Sequence, residues 1–80
     1  MTPDEKIRRG KRTEEFTANP LVVEAFTSIE ADLINDWKTS KTADERESLH
    51  RELSLLQKVR GKLDSFIHDG QIAATRANRL

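Results

Sequence analysis

Residues 20–69 of the chain read PLVVEAFTSIEADLINDWKTSKTADERESLHRELSLLQKVRGKLDSFIHD, and this stretch decides the fold. Its apolar residues recur at steps of three and four, first over about residues 20–38 and again over about residues 43–69. This spacing predicts two amphipathic helices, each with one apolar stripe. The connection between them is only a few residues long, so we expect the two helices to fold back on each other as a long antiparallel hairpin.

Three helix starts are marked by capping residues. Residues 2–5 (TPDE) and 42–45 (TADE) are capping boxes, in which a threonine precedes a glutamate by three positions. Asn19 followed by Pro20 is a third start, because Asn caps well and Pro is favoured at the first helical position. The first of these signals predicts a charged N-terminal helix at about residues 3–18, so we expect an all-α chain.

The chain is therefore predicted to have three parts. Residues 1–18 form the charged N-terminal helix or arm, and residues 19–70 form the hairpin domain. Gly70 follows the last strongly periodic residues, and glycine is common just after a helix C-terminus. Residues 71–80 have weak helical composition and no cap, so we expect them to be a frayed C-terminal tail.

Size and composition point to assembly. The 80 residues are 35% hydrophobic and 35% charged, and a core of this size supplies about 3–5 kcal/mol on its own. The chain has no cysteine, which excludes disulfides and thiolate metal sites. Self-association or a partner is the remaining means of stabilisation. We therefore expect a homo-oligomer, in which the helices form a coiled-coil-like bundle.

The unequal lengths of the two hairpin helices indicate where a partner would bind. The second is longer by about eight residues, or about 12 Å, and its far end carries Leu63, Phe66 and Ile67. The N-terminal helix is the nearest cover, but it has few large apolar residues apart from Phe16, so we expect it to dock loosely or only against another chain. Trp37 is either a core residue at the hairpin turn or an interface anchor. The predicted interface residues are Phe16, Trp37, Leu63, Phe66 and Ile67.

A basic cluster opens the chain. Its members are Lys6, Arg8, Arg9, Lys11 and Arg12. They could contact phosphates or an acidic partner, or they could form a solvated helix face that pairs with Glu14 and Glu15. The formal net charge is zero, with 14 basic and 14 acidic residues, whereas nucleic-acid-binding domains are usually basic. Nucleic acid is therefore the alternative partner rather than the leading one.

Several classes of function are not expected. His50 and His68 are about 27 Å apart along one helix and cannot share a metal, so we expect no metal and no cofactor. There is no phosphate-binding loop and no nucleophile elbow, so we expect neither an enzyme nor a small-molecule site. No apolar run is long enough for a membrane span, and the N-terminus does not look like a secretory signal. We expect an intracellular protein.

The patterns NPLVxxAFxxIExxLIxxWK at residues 19–38 and LLxxVRGxL at residues 55–63 resemble a group of short uncharacterised helical proteins of tailed phages and prophages. The resemblance covers about residues 19–72. It implies a small virion-associated structural or assembly component, in the host cytoplasm and in the virion, that self-associates or docks on a larger capsid or portal protein. The alternatives are a nucleic-acid-associated packaging or regulatory accessory that uses the basic arm, and an inhibitor of a host protein.

Overall fold

The computed structural model describes residues 1–79, which form three helices. These are α1 (Pro3–Ala18), α2 (Pro20–Thr39) and α3 (Ala43–Asn78), and residues 1–79 contain no strand. The prediction of an all-α chain is confirmed. The first two helices begin and end within one residue of the predicted bounds.

The capping boxes begin the first and last helices as their sequences indicate. The Thr2 side chain accepts a hydrogen bond from the Glu5 amide at 3.2 Å, and the Thr42 side chain accepts one from the Glu45 amide at 3.1 Å. Each bond satisfies an amide that has no partner within its own helix. In the second box, the Glu45 carboxylate also accepts a hydrogen bond from the Lys41 amide at 3.0 Å.

A single residue separates α1 from α2. Asn19 donates its backbone N–H to the carbonyl of Phe16 at 3.2 Å and so ends α1. Its side-chain oxygen accepts a hydrogen bond from the Leu21 amide at 2.9 Å and so begins α2. Pro20 has no amide hydrogen to continue the first helix, which explains the break at this position.

The third helix is longer than predicted. The expected end at Asp69 is wrong, because α3 continues to Asn78, and residues 71–78 are helical rather than a frayed tail. The predicted tail also includes residue 80, which lies outside the described residues. With 36 residues, α3 equals the combined length of α1 (16) and α2 (20). The two shorter helices lie one after the other along it, in a rod of 59 × 24 × 16 Å.

Pairs of neighbouring residues define how α2 lies on α3. Near its start, Val22 lines a groove with Leu63, and further along Glu30 pairs with Arg60 at 3.1 Å. Near its end, Asp36 lines a groove with Leu49. As residue numbers rise along α2, they fall along the facing part of α3.

One line of half-buried and buried residues runs the length of α3, and Ser65, Phe66, Asp69 and Ala73 add to it in the part that faces α1. Successive members of the line alternate between steps of four and three residues: Leu49, Leu53, Leu56, Arg60, Leu63, Ile67, Gly70 and Ala74. The line passes from the part of α3 that faces α2 to the part that faces α1. Burial is shallow throughout, since Ala73 is the one apolar residue among residues 1–79, glycine aside, that is buried.

Candidate functional site

The closest packing in the molecule joins α1 to the C-terminal half of α3. A β carbon added to Gly10 would lie 3.2 Å from the α carbon of Gly70, and one added to Gly70 would lie 3.0 Å from the carbonyl oxygen of Lys6. Thr13 and Ala73, one turn further along each helix, are also buried. Small residues at spacings of three let the two backbones approach this closely. The expectation that α1 docks loosely or only against another chain is wrong, because it packs on α3 of its own chain.

An arginine on α1 packs on an aromatic ring of α3 beside this contact. The guanidinium carbon of Arg9 lies 4.0 Å from the centroid of the Phe66 ring, and the same group pairs with Asp69 at 3.4 Å. The ion pair is partly exposed, so it contributes little by itself. Arg9 Nε is buried and has no hydrogen-bond partner among residues 1–79, so Arg9 makes its contacts here through the Phe66 ring and the Asp69 pair.

A similar arrangement joins α2 to α3. Arg60 lies 5.3 Å from the centroid of the Phe26 ring and pairs with Glu30, which is one turn further along α2. At both places an arginine of one helix lies over a phenylalanine of its neighbour. These two arginines are therefore part of the fold rather than free cations.

The five predicted interface residues do not lie together. Phe16, Leu63 and Phe66 line one groove between α1 and α3, while Trp37 lies near the other end of the rod. Phe16 and Trp37 are 45% and 53% exposed. The other three are half-buried.

The expectation that the far end of α3 has no partner within the chain is therefore wrong. The α1 helix lies over Phe66 through Arg9, and a β carbon at Gly10 would lie 3.6 Å from the carbonyl oxygen of Ile67. The sequence-based expectation underestimated α1 because it counted large apolar side chains, whereas this contact is made by small ones.

The basic cluster divides into two groups. Arg9 and Lys6 are half-buried: Arg9 pairs with Asp69, and Lys6 lines a groove with the same aspartate. Arg8, Lys11 and Arg12 are exposed. Among residues 1–79, the exposed three form no ion pair, so they are the cationic groups that a partner could reach.

Three large apolar residues are exposed on α2 and α3 beyond the end of α1, and heptad spacing places them on one side of the rod. Leu55 and Val59 are 62% and 43% exposed, and Ile29 is 49% exposed. Val59 precedes Phe66 by seven residues, so it lies on the face of α3 that α1 covers further along. We call Ile29, Leu55 and Val59 the notch.

The notch includes α2 as well as α3. Asp36 lines a groove with Ser48, and Ser48 precedes Leu55 by seven residues, so Asp36 lies on the Leu55 side of the rod. Ile29 precedes Asp36 by seven residues and shares its side of α2. The signal in the sequence was a second apolar line on α3, beside the first, which the search for one stripe per helix did not separate.

The described part of the chain shows neither a metal-binding cluster nor a membrane-spanning helix. Residues 1–79 contain no group of three or more His, Asp or Glu side chains placed to hold a metal ion. His50 and His68 are both exposed. Within the same residues, no helix combines the length and apolarity needed to cross a membrane.

Comparison of the chain with known proteins found no match. No family model matches the chain, and no curated protein and no solved structure matches it significantly.

Proposed function

We propose that this protein is a non-enzymatic interaction module that associates with a second copy of itself through the notch. In this proposal, α2 and α3 form an antiparallel hairpin, α1 extends the shorter arm, and two such rods associate in a coiled-coil-like bundle. The observation that carries the proposal is the exposure of Ile29, Leu55 and Val59 on one side of the rod beyond the end of α1, where each residue stays between 43% and 62% exposed.

The shallow burial of the single chain supports association. Among residues 1–79, no large side chain is fully buried. A chain of this size has little apolar surface to spare, and one that leaves several large apolar residues exposed gains stability by covering them. The alternation of four- and three-residue steps along α3 is the spacing that supercoiled helices use.

The distribution of charge favours a second copy as the partner. Residues 19–61 carry eight acidic and six basic side chains, while the rest of the chain carries six acidic and eight basic ones. Because α1 lies along the C-terminal half of α3, the basic excess lies at one end of the rod and the acidic excess at the other. Two rods that lie side by side in opposite directions therefore place opposite charges together.

A matched pair of substitutions in α2 tests the proposal. Ile29 and Ile34 are 49% and 40% exposed, and their separation of five positions turns the helix by about 140°, so they lie on opposite sides of the stripe that faces α3. We expect Ile29→Lys to shift the mass measured by light scattering toward the monomer. Ile34→Lys adds the same charge outside the notch and is expected to leave the mass unchanged. Equal effects of the two substitutions, or none from either, would contradict the proposal.

A nucleic-acid-associated role is the second candidate, and the exposure of Arg8, Lys11 and Arg12 favours it. Three exposed cations on one helix can neutralise phosphates and displace the counterions bound to a nucleic acid. The affinity for the nucleic acid then falls steeply as the salt concentration rises. Titration of duplex DNA at several salt concentrations tests this role. Binding that is absent, or that does not change with salt, would remove it.

The setting in phage assembly is the narrower part of the proposal, and the resemblance of residues 19–72 to short phage proteins supports it. A self-associating helical rod suits a component that joins larger virion proteins. Co-purification with capsid or portal protein from assembling particles, lost on Ile29→Lys and kept on Ile34→Lys, is the expected result. Capsid or portal fractions free of the protein would contradict this setting.

A further inference from the structure

We infer that α1 of one copy binds the groove between α2 and α3 of a second copy, so that Arg8 and Arg12 pair with Asp36 and Asp32 of that copy while Phe16 enters its notch. This inference rests on the proposed self-association and specifies its register. It names the contacts, the relative direction of the two rods and the position of the two-fold axis.

One exposed stripe on α1 supplies the first half of the contact. Arg8, Arg12 and Phe16 follow one another at intervals of four residues, and all three line the groove beside Phe66. All three are exposed. Residues four apart on a helix lie on one face, so a neighbouring chain can meet the three together.

One exposed stripe on α2 supplies the second half. Asp36, Asp32 and Ile29 are separated by four and three residues, and all three are exposed. Asp36 places this stripe on the side of the rod where Ser48 lies, which is the side of Leu55. The two aspartates therefore border the notch, and Ile29 belongs to it.

The two stripes match when their helices run in opposite directions. Reading forward along α1 gives cation, cation, aromatic, and reading backward along α2 gives anion, anion, aliphatic. Four residues of helix rise by about 6 Å, so both ion pairs can form at one setting of the helices. At that setting Phe16 reaches the level of Ile29, and the long arginine side chains cover apolar surface beside it.

The fold allows two such contacts in one dimer, because α1 of each copy can lie beside α2 of the other. Gly10 lies against Gly70, which places Arg8 level with Ile72 of its own α3. Phe26 lies against Arg60, which places Asp36 level with His50. The position midway between Ile72 and His50 along α3 is that of Gly61, near the middle of the helix.

A two-fold axis at this level superposes the full lengths of the two rods. It brings α1 of each copy beside α2 of the other, and the two contacts are then identical, as a closed dimer requires.

The four charged residues of this contact are not used in ion pairs within residues 1–79. Among residues 1–79, the ion pairs are Arg9–Asp69 and Glu30–Arg60, and neither uses Arg8, Arg12, Asp32 or Asp36. Pairing them with a second copy therefore breaks no ion pair in this part of the chain.

Charge reversal tests the register. In the full chain, we expect Arg8→Glu with Arg12→Glu to raise the dimer dissociation constant by about tenfold or more, because four attractive pairs per dimer become repulsive. Asp32→Arg with Asp36→Arg is expected to do the same. The chain that carries all four substitutions is expected to dimerise nearly as well as the wild type. Sedimentation equilibrium measures the dissociation constants of the wild type and the three variants, and circular dichroism verifies that each variant keeps its helices.

The outcomes separate the register from the proposed function. If the wild type dimerises and both charge-reversal variants have the same dimer dissociation constant as the wild type, the register is wrong and the proposed self-association is kept. If each reversal weakens the dimer and the fourfold variant does not restore it, the pairing is also wrong. If Arg8→Glu with Arg12→Glu abolishes DNA binding without affecting the dimer, these arginines serve a nucleic acid instead. A monomeric wild type would overturn both the register and the proposed self-association.

Discussion

Gly10 and Gly70 face each other so closely that a β carbon on Gly10 would lie 3.2 Å from the α carbon of Gly70. The same β carbon would lie 3.1 Å from the carbonyl oxygen of Phe66. The neighbours are backbone atoms, so room for a methyl group requires α1 to move as a body. This approach makes α1 part of the folded chain although it offers few large apolar side chains.

We expect Gly70→Ala to be less stable than Gly61→Ala. Both glycines lie inside α3, where alanine is favoured by about 1 kcal/mol through helix propensity. A β carbon at Gly61 meets nothing within 4 Å, whereas one at Gly70 crowds the Gly10 backbone. Overpacking of this kind costs about 1–3 kcal/mol.

Urea unfolding followed by circular dichroism measures the difference. Gly61→Ala is the control, and it should raise the free energy of unfolding. An equal rise in both variants would show that the α1–α3 contact yields to a methyl group, and would contradict the account of α1 packing.

If Arg9 stacks on Phe66, substitutions of the two residues should show a coupling energy in the free energy of unfolding. We expect a double-mutant cycle of Arg9→Met and Phe66→Leu to give about 0.5–1 kcal/mol, because the guanidinium lies over the ring at a short distance. Lys11 is an exposed cation on the same helix and provides the control. A cycle of Lys11→Met with Phe66→Leu should give a coupling near zero, and equal couplings in the two cycles would exclude a specific stacking interaction.

Asn19 should stabilise the break between α1 and α2. Its side chain caps the Leu21 amide at 2.9 Å, and loss of an N-cap typically costs about 1 kcal/mol. We therefore expect Asn19→Ala to lower the free energy of unfolding by about that amount, while Asn19→Asp, which keeps a capping oxygen, stays near the wild type. Thermal unfolding of the three proteins makes the comparison. A stable Asn19→Ala variant would mean that Pro20 alone determines the break.

Salt should weaken association more than it weakens the helices. The proposed pairs between copies are exposed, and the screening length falls from about 10 Å at 0.1 M salt to about 3 Å at 1 M. We expect the dimer dissociation constant to rise over this range while the helical signal of the chain stays constant. A dimer that strengthens with salt would indicate a purely apolar contact, with no contribution from Arg8 and Arg12.

The sequence predicted the elements of this fold better than their contacts. Capping residues such as Thr2 and Asn19 act locally, and their hydrogen bonds lie where the sequence indicates. Gly70 is the reason that α3 was predicted too short, because a glycine after a periodic stretch is typical of a helix end, whereas here it lies inside α3 where another backbone approaches. A close approach of two glycines that are 60 positions apart in the chain leaves no local pattern.

The interface residues named from the sequence stay a prediction. Phe16 and Trp37 are exposed, whereas Phe66 and Ile67 are half-buried near α1. Which part of α3 stays open depends on where α1 ends relative to Leu55 and Val59. That position follows from the packing of α1 on Gly70, which spacing along the chain does not specify.

Sedimentation equilibrium of the wild-type chain tests the central claim most directly, over loading concentrations from about 1 to about 500 µM. The proposed association predicts an average mass that rises with concentration toward twice the 9.2 kDa of one chain and reaches a plateau there. A mass that stays at 9.2 kDa over the whole range would contradict the claim that a second copy covers the notch.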